Sequence, residues 1–217
     1  MRRISRYLPI LLVLFAIPLT VHAQGNTFDL GIGFGTNRSA ANGQGTDSTT
    51  GEECALNSGD STCMKNPSMA GFFMGFGGDY MFRKHFGLDF EGVFQPTHQN
   101  YASDTFTYRQ TFYDFNAVYA PLNVKRASLK IEGGVGGART SVYVPVTTGG
   151  IAGNYSEFFN EDNHFAVHAG VGVQLYVTEH VFIRPQFDYR YVPNFNSEFS
   201  NTVYGASVWV GYSFGDR

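Results

Sequence analysis

The final stretch of the chain, Thr202 to Phe214, limits the possible folds more than any other part of the sequence. Taken alternately, its residues divide between two faces, as they do along a β-strand. One face is apolar or aromatic: Tyr204, Ala206, Val208, Val210, Tyr212 and Phe214. The other face is small and mostly polar: Val203, Gly205, Ser207, Trp209, Gly211 and Ser213. If the apolar face meets lipid, each backbone N–H and C=O needs a partner strand, and only a closed barrel provides one at both edges.

The first residues of the chain have the pattern of a secretory signal peptide. Arg2, Arg3 and Arg6 precede an apolar run from Leu8 to Leu19, and a small-residue cleavage site ends at Ala23. The apolar run is too short for a membrane-spanning helix. We therefore predict a signal peptide over residues 1–23 and a single exported domain over residues 24–217.

Seven further segments alternate in the same way as the last one. They are Thr27–Asn37, Ser68–Phe82, Leu88–Gln95, Phe106–Pro121, Leu129–Ala138, Phe165–Val177 and Val181–Tyr191. Long polar loops over residues 39–67 and 147–162 alternate with very short turns, such as Arg83 to His85. An even number of strands, with short turns at one end and long loops at the other, is typical of membrane barrels. The sequence predicts an all-β fold, an eight-stranded antiparallel up-and-down transmembrane β-barrel.

The volume of such a barrel decides which face points outward. An eight-stranded barrel has an interior that side chains just fill. The chain has 21 Phe and 13 Tyr, and a lumen lined by them from every strand would be overfilled. The aromatic face is therefore expected to meet lipid, and the glycine-rich, polar face is expected to line the lumen.

The signal peptide, the eight alternating strands and the aromatic-ended Tyr212-Ser213-Phe214 resemble the small outer-membrane barrels of the OmpA/OmpX type. The resemblance covers the whole mature chain and implies a location in the bacterial outer membrane. It also implies insertion by the barrel-assembly machinery and contact with outer-membrane lipids, including lipopolysaccharide; we expect a monomer. Two features depart from the family: Gly215-Asp216-Arg217 follow the last aromatic residue, and OmpA's peptidoglycan-binding domain is lacking.

Ionisable residues on the predicted inward face are the main candidates for function. The predicted charge network comprises Asp89, Glu91, Asp114, Lys130, Glu132, His168, Arg184, Asp188 and Arg190, and Asp29 and Asp79 share the same face. Charges in a narrow lumen are costly unless they are paired, so we interpret them as a salt-bridged plug. Because acids outnumber bases, a small cation-preferring channel is the alternative.

A lipid A-modifying enzyme is the third possibility, suggested by His168 together with Asp188 or Glu132. Small barrel deacylases carry a His and a Ser two residues apart, and no His of the mature chain is followed by Ser at that offset. We therefore expect no enzymatic activity. The glycine clusters at residues 31–35 and 133–137 precede no helix, which favours packing against aromatic side chains over phosphate binding.

The remaining residues give no sign of a cofactor, a metal or a nucleic-acid partner. Acidic residues of the loops lack the spacing of calcium-binding loops, and the formal net charge is −3. No cofactor, metal or nucleic acid is therefore expected.

Two residue pairs outside the lumen carry specific predictions. Cys54 and Cys63 lie in one polar segment of an exported chain, which predicts a disulfide. The alternation places Arg109 and Arg139 on the outward, lipid-facing side of their strands, although both are charged. If Tyr119 pairs with Leu129, the two arginines lie side by side at the outer interface. There they would either share a lipid A phosphate or extend into the headgroup water.

Overall fold

A computed structural model describes residues 26–47, 49–50, 52–57, 59–101, 106–146, 155–195 and 199–215. The predicted signal peptide, residues 1–23, lies outside the described residues. No helix in the described part of the chain is both long and apolar enough to cross a membrane.

Eight long strands form a closed antiparallel ring, which confirms the predicted fold class. They are β1 (Thr27–Arg38), β5 (Phe72–Arg83), β6 (Phe86–Phe94), β8 (Phe106–Val124), β9 (Ala127–Val146), β10 (Tyr155–Tyr176), β11 (Val181–Tyr191) and β12 (Thr202–Phe214). Four short strands accompany them: β2 (Gly45–Asp47), β3 (Glu53–Cys54), β4 (Cys63–Lys65) and β7 (Gln99–Tyr101). The order round the ring is β6-β5-β1-β12-β11-β10-β9-β8, and pairing of β6 with β8 closes it. Very short turns meet at one end of the barrel, the turn end, and longer connections meet at the other, the loop end.

The alternation along β12 separates its two faces as predicted. On the outer face, the exposed fractions of five apolar side chains are 42–51%: Tyr204, Val208, Val210, Tyr212 and Phe214. On the inner face, Val203 and Ser213 are fully buried and Trp209 is almost so. The apolar outer surface therefore suits lipid.

Glycines make room for the single tryptophan inside the barrel. Gly33 pairs with Trp209 across β1 and β12. A Cβ atom on Gly33 would lie 2.7 Å from Trp209 Cδ2, and one on Gly75 would lie 2.8 Å from Trp209 Cη2. The indole thus lies directly against the backbones of β1 and β5, as expected for glycine facing a bulky aromatic residue.

Strands β9 and β10 extend further than the sequence predicted. The second long loop was expected to reach Asp162, but β10 already begins at Tyr155 and pairs with β9 up to Val146. This extension carries Asn160, Glu161 and Asp162, so apolar alternation is absent. Backbone pairing continues there although the membrane-type sequence pattern has ended.

The predicted register between β8 and β9 is wrong by two residues. Leu122, rather than Tyr119, pairs with Leu129, and Tyr119 pairs with Ile131. The strands continue to a tight turn at Lys125 and Arg126, and the register shifts between Tyr119 and Leu122. A tighter turn together with this irregularity accounts for the difference.

The first long loop contains a small sheet, where the sequence had indicated only a loop. Strand β2 pairs with both β3 and β4. Cys54 of β3 and Cys63 of β4 form the predicted disulfide, with their Cα atoms 5.8 Å apart. We refer to residues 45–65 as the loop-end module.

Candidate functional site in the barrel lumen

Arg184 occupies the middle of the lumen and contacts acids from three other strands. Its Nη2 lies 2.8 Å from Glu91 Oε1, and its Nη1 lies 3.0 Å from Asp79 Oδ2 and 3.4 Å from Glu132 Oε1. All four side chains are at most 3% exposed. Because β11 and β6 are four strands apart in either direction round the ring, the pair of Arg184 with Glu91 spans the barrel's diameter.

Lys130 forms a second set of contacts across the lumen. Its Nζ lies 2.9 Å from Asp29 Oδ2 and 2.6 Å from Asp79 Oδ2. Strands β9 and β1, which carry Lys130 and Asp29, are also four strands apart in either direction. Gln174 Nε2 donates to the same Asp29 oxygen, at 2.8 Å.

A third set of polar contacts lies on the loop-end side of Arg184. Arg190 Nε and Nη2 donate to Asp114 Oδ2 at 2.9 and 2.7 Å. His168 contacts Asn116 Oδ1 through Nδ1, at 2.8 Å, and Asp188 Oδ1 through Nε2, at 3.1 Å. The structure thus brings His168, Arg190 and their partners into one buried cluster.

Asp89 lies beside this network but forms no ion pair with a cation of the described residues. Its Oδ2 accepts a hydrogen bond from Asn116 Nδ2, at 2.9 Å. The other eight residues of the predicted network each contact at least one oppositely charged or His partner.

Several residues of the network were not singled out from the sequence. Gln186 Nε2 lies within hydrogen-bond distance of Glu91, Glu132 and Asp188, between 2.8 and 3.4 Å. Asn37 accepts from Arg190 Nη1, at 3.3 Å. Their inward parity was visible in the alternation, but an amide carries no charge that would have marked it as a partner.

An apolar layer lies at the loop end of the lumen. It consists of Met69, Phe73, Phe106, Tyr108, Phe112, Ala138, Ala166, Val192, Phe195, Phe199 and Val203, each at most 5% exposed. Phe195 and Phe199 come from the connection between β11 and β12, and their ring centroids are 5.3 Å apart. The described parts of this connection, residues 192–195 and 199–201, therefore fold over the mouth of the barrel.

One cavity lies beside the polar network and reaches the apolar layer at Phe73. It is lined in part by Gly33, Gly75, Trp209, Asp188 and Arg190 and has room for about one water molecule. It is too small for a hydrated ion.

Asp79, Asp89 and Glu132 offer the best arrangement for a metal ion among the described residues. One oxygen of each lies within 4.8 Å of the others. However, Lys130 and Arg184 already contact Asp79, and Arg184 also contacts Glu132. A divalent cation would meet two fixed positive charges there, so the donor set fits a metal poorly.

The structure does not bring Arg109 and Arg139 side by side. Arg109 pairs with Ser141, and Arg139 pairs with Thr111. Arg109 Nε donates to the backbone oxygen of Gln95, at 3.1 Å, and Arg139 forms an exposed salt bridge with Glu161. The side-by-side arrangement behind the lipid A prediction is therefore wrong, and contact with lipid A stays a prediction.

A closed ring of eight antiparallel strands with an apolar outer surface and a polar lumen defines a small transmembrane β-barrel. The chain belongs to the family of outer membrane protein beta-barrel domains, which matches residues 10–214. Membership of this family places it in the bacterial outer membrane.

Solved structures with a similar fold are also outer-membrane barrels. OprG from Pseudomonas aeruginosa is 15% identical, with a TM-score of 0.52 over 89% of this chain and 98% of that chain. Neisserial surface protein A is 13% identical (TM-score 0.49; 88% and 98% covered), and Ail of Yersinia pestis is 17% identical (0.46; 87% and 99%). No curated protein matches the sequence. At these identities, the likeness to OprG supports the fold and no particular activity.

Proposed function

We propose that the protein is a non-enzymatic outer-membrane barrel whose lumen is closed and whose outer loops serve membrane integrity or surface interaction. The ion pair of Arg184 with Glu91 carries this proposal. It reaches across the full diameter of the barrel with 2.8 Å between its atoms, and both side chains are buried. An ion passing through the lumen would have to separate the pair and leave the buried Glu91 without its cation, which is costly in a protein interior.

The apolar layer at the loop end supports the same proposal independently. Phe73, Phe112 and Phe199 lie in it at no more than 1% exposure. Apart from the Tyr108 hydroxyl, the side chains of this layer are apolar and cannot replace the water around an ion. A solute would therefore meet two different obstacles in series.

The loop-end module supports a role at the cell surface. The disulfide of Cys54 with Cys63 joins β3 to β4, and the Thr46 hydroxyl donates to Asn66 Oδ1, at 2.6 Å. These contacts order the module internally, and the barrel serves as its membrane anchor. In this role its surroundings are outer-membrane lipids, including lipopolysaccharide.

The contacts of His168 argue against catalysis. A nucleophile needs a base within hydrogen-bond distance. Both ring nitrogens of His168 already contact Asn116 and Asp188, which leaves neither for a serine or threonine hydroxyl. His168 is also buried inside the barrel, away from the lipid that a lipid A-modifying enzyme would act on.

A cation-preferring channel is the second candidate, because the charges of the lumen do not balance. Among the described inward residues, seven buried acids face three buried cations, Lys130, Arg184 and Arg190. The acids are Asp29, Asp79, Asp89, Glu91, Asp114, Glu132 and Asp188. Such an excess would favour cations if the lumen opened.

Ion flux from liposomes separates the two candidates. The refolded protein is reconstituted into liposomes that hold potassium chloride, and release of each ion is followed with ion-selective electrodes. Release no faster than that from protein-free liposomes is expected for a closed barrel. Potassium release that exceeds chloride release would contradict the proposal and support the channel.

A further inference from the structure

Four exposed basic side chains meet at the turn end of the barrel. Arg83 is the last residue of β5 and Lys84 follows it in the turn to β6, and Lys125 and Arg126 form the turn between β8 and β9. Because β6 pairs directly with β8, the two turns are neighbours. We refer to these four residues as the turn-end patch.

Hydrogen bonds hold the two turns against each other. Asn123 Nδ2 donates to the backbone oxygen of Lys84, at 2.9 Å. The backbone N–H of Ala120 donates to the His85 oxygen, at 2.9 Å, and His85 Nδ1 lies 2.6 Å from the Ala120 oxygen. The basic side chains therefore project from an ordered base and not from two independent loops.

The positive charge of the patch is not compensated within the described part of the chain. None of its four side chains takes part in an ion pair there, and Glu179 is the one acid in the three short turns. The opposite end of the barrel is acidic, and the whole chain has a formal net charge of −3. The patch is thus a local feature and does not reflect a generally basic protein.

The patch borders the apolar band that meets the hydrocarbon of the membrane. Phe82, Phe86, Leu122 and Val124, all 40–51% exposed, lie next to the four basic residues. Cationic side chains just beyond such a band lie at the depth of lipid headgroups, and their aliphatic stems can extend along the apolar surface. Lys and Arg clusters at this depth attract anionic lipids.

We propose that the turn-end patch binds the phosphate groups of anionic phospholipids in the leaflet that surrounds the short turns. Two neighbouring turns with two cations each can surround a headgroup phosphate with charge-assisted hydrogen bonds. A zwitterionic lipid carries its own cation beside the phosphate, so it gains less from the same site.

Spin-labelled lipids provide the test. The refolded protein is placed in phosphatidylcholine vesicles, and electron spin resonance measures how strongly labelled phosphatidylglycerol and labelled phosphatidylcholine associate with it. The expected result is a severalfold preference for phosphatidylglycerol, which high salt weakens. Equal association of the two labels with the parent protein would overturn the proposal.

Variants that remove the same number of positive charges from different places show where the preference for phosphatidylglycerol arises. Lys125→Gln with Arg126→Gln, Arg83→Gln with Lys84→Gln, and all four changes together should lower it stepwise. Arg38→Gln with Lys65→Gln removes the same charge from exposed positions at the loop end and should leave it unchanged. Heat-modifiable migration on a detergent gel confirms folding, and either double variant suffices if the quadruple variant does not fold. If both turn-end double variants keep the parent's preference for phosphatidylglycerol, the turn-end patch is not the binding site. The same conclusion follows if the loop-end variant loses as much of the preference as the turn-end variants do.

Discussion

Arg184 and Glu91 form an ion pair across the full width of the barrel, with Arg184 Nη2 2.8 Å from Glu91 Oε1. Lys130 and Asp29 repeat the relationship on another pair of opposite strands, at 2.9 Å. Each pair joins opposite strands, so its two partners lie within contact distance only when the ring is closed. The two pairs therefore couple closure of the barrel to burial of its charges.

Replacement of Arg184 should destabilise the barrel strongly. Arg184→Ala leaves Asp79, Glu91 and Glu132 without their shared cation, and breaking a buried ion pair costs about 3–5 kcal/mol. Urea unfolding in lipid vesicles should show this loss in the free energy of unfolding. Adding Glu91→Gln to Arg184→Ala should restore part of it, because one uncompensated charge is removed.

Arg139→Ala is the matched control for this experiment. Arg139 pairs with Glu161, and both side chains are more than 40% exposed. An exposed pair contributes about 0–1 kcal/mol. If Arg184→Ala unfolds at the same urea concentration as Arg139→Ala, the buried network does not hold the barrel together.

Replacing Gly33 with alanine should destabilise the barrel, although the change adds only a methyl group. In Gly33→Ala, the new Cβ would lie 2.7 Å from the Trp209 ring, so the indole must shift within a filled lumen. Overpacking of this kind costs about 1–3 kcal/mol. Because Trp209 is the only tryptophan, its emission spectrum reports the shift directly.

Gly133→Ala provides the comparison for Gly33→Ala. A Cβ on Gly133 would meet only the backbone oxygen of His168, at 4.0 Å. This variant should keep the parent's stability and Trp209 emission. Equal effects of the two alanines would show that contact with Trp209 is not what requires glycine at position 33.

Asp47 should stabilise the loop-end module in a pH-dependent way. Hydrogen bonds from the side chain of Thr49, then from Thr62 and from the backbones of Thr49 and Thr50, hold the pKa of Asp47 below its ordinary value of 3.8. A carboxyl with a lowered folded-state pKa contributes stability above its unfolded pKa and loses it as the pH falls. At neutral pH, Asp47→Ala should therefore speed reduction of the Cys54–Cys63 disulfide by a phosphine.

The difference between Asp47→Ala and the parent should shrink as the pH falls below about 4, where the unfolded carboxyl becomes protonated. Glu53→Ala, an exposed acid on β3 of the same module, should reduce at the parent's rate throughout. An Asp47→Ala effect that is equal at neutral and acidic pH would show that charge on Asp47 plays no part.

The sequence was sufficient to predict the barrel because lipid imposes a strict alternation on spanning strands. Tyr204, Val208 and Val210 meet lipid, and Trp209 lies inside, as the alternation of β12 indicated. The outward extensions of β9 and β10 were missed because both faces of a strand above the membrane can be polar, as at Glu161 and Asp162.

The exact partners in the lumen could not be read from the sequence. The alternation along each strand identifies which residues face the lumen, but the register between strands sets their relative depth along the barrel axis. The tight turn at Lys125 and Arg126 shifted the β8–β9 pairing, and the irregularity between Tyr119 and Leu122 reversed only one residue of that shift. Arg109 therefore pairs with Ser141 and not with Arg139. The contribution of Phe195 and Phe199 to the apolar layer was missed for a different reason, because both lie in a connection without periodicity.

Single-channel recording in planar bilayers tests the closed lumen most directly. The refolded protein is inserted into a bilayer between unequal concentrations of potassium chloride, and insertion is verified by recovering folded protein from the membrane. Because Arg184 and Glu91 span the lumen and Phe199 lies in the layer above them, the current should stay at the level of the protein-free bilayer. Discrete current steps with a cation-selective reversal potential would contradict the account and identify the protein as a channel.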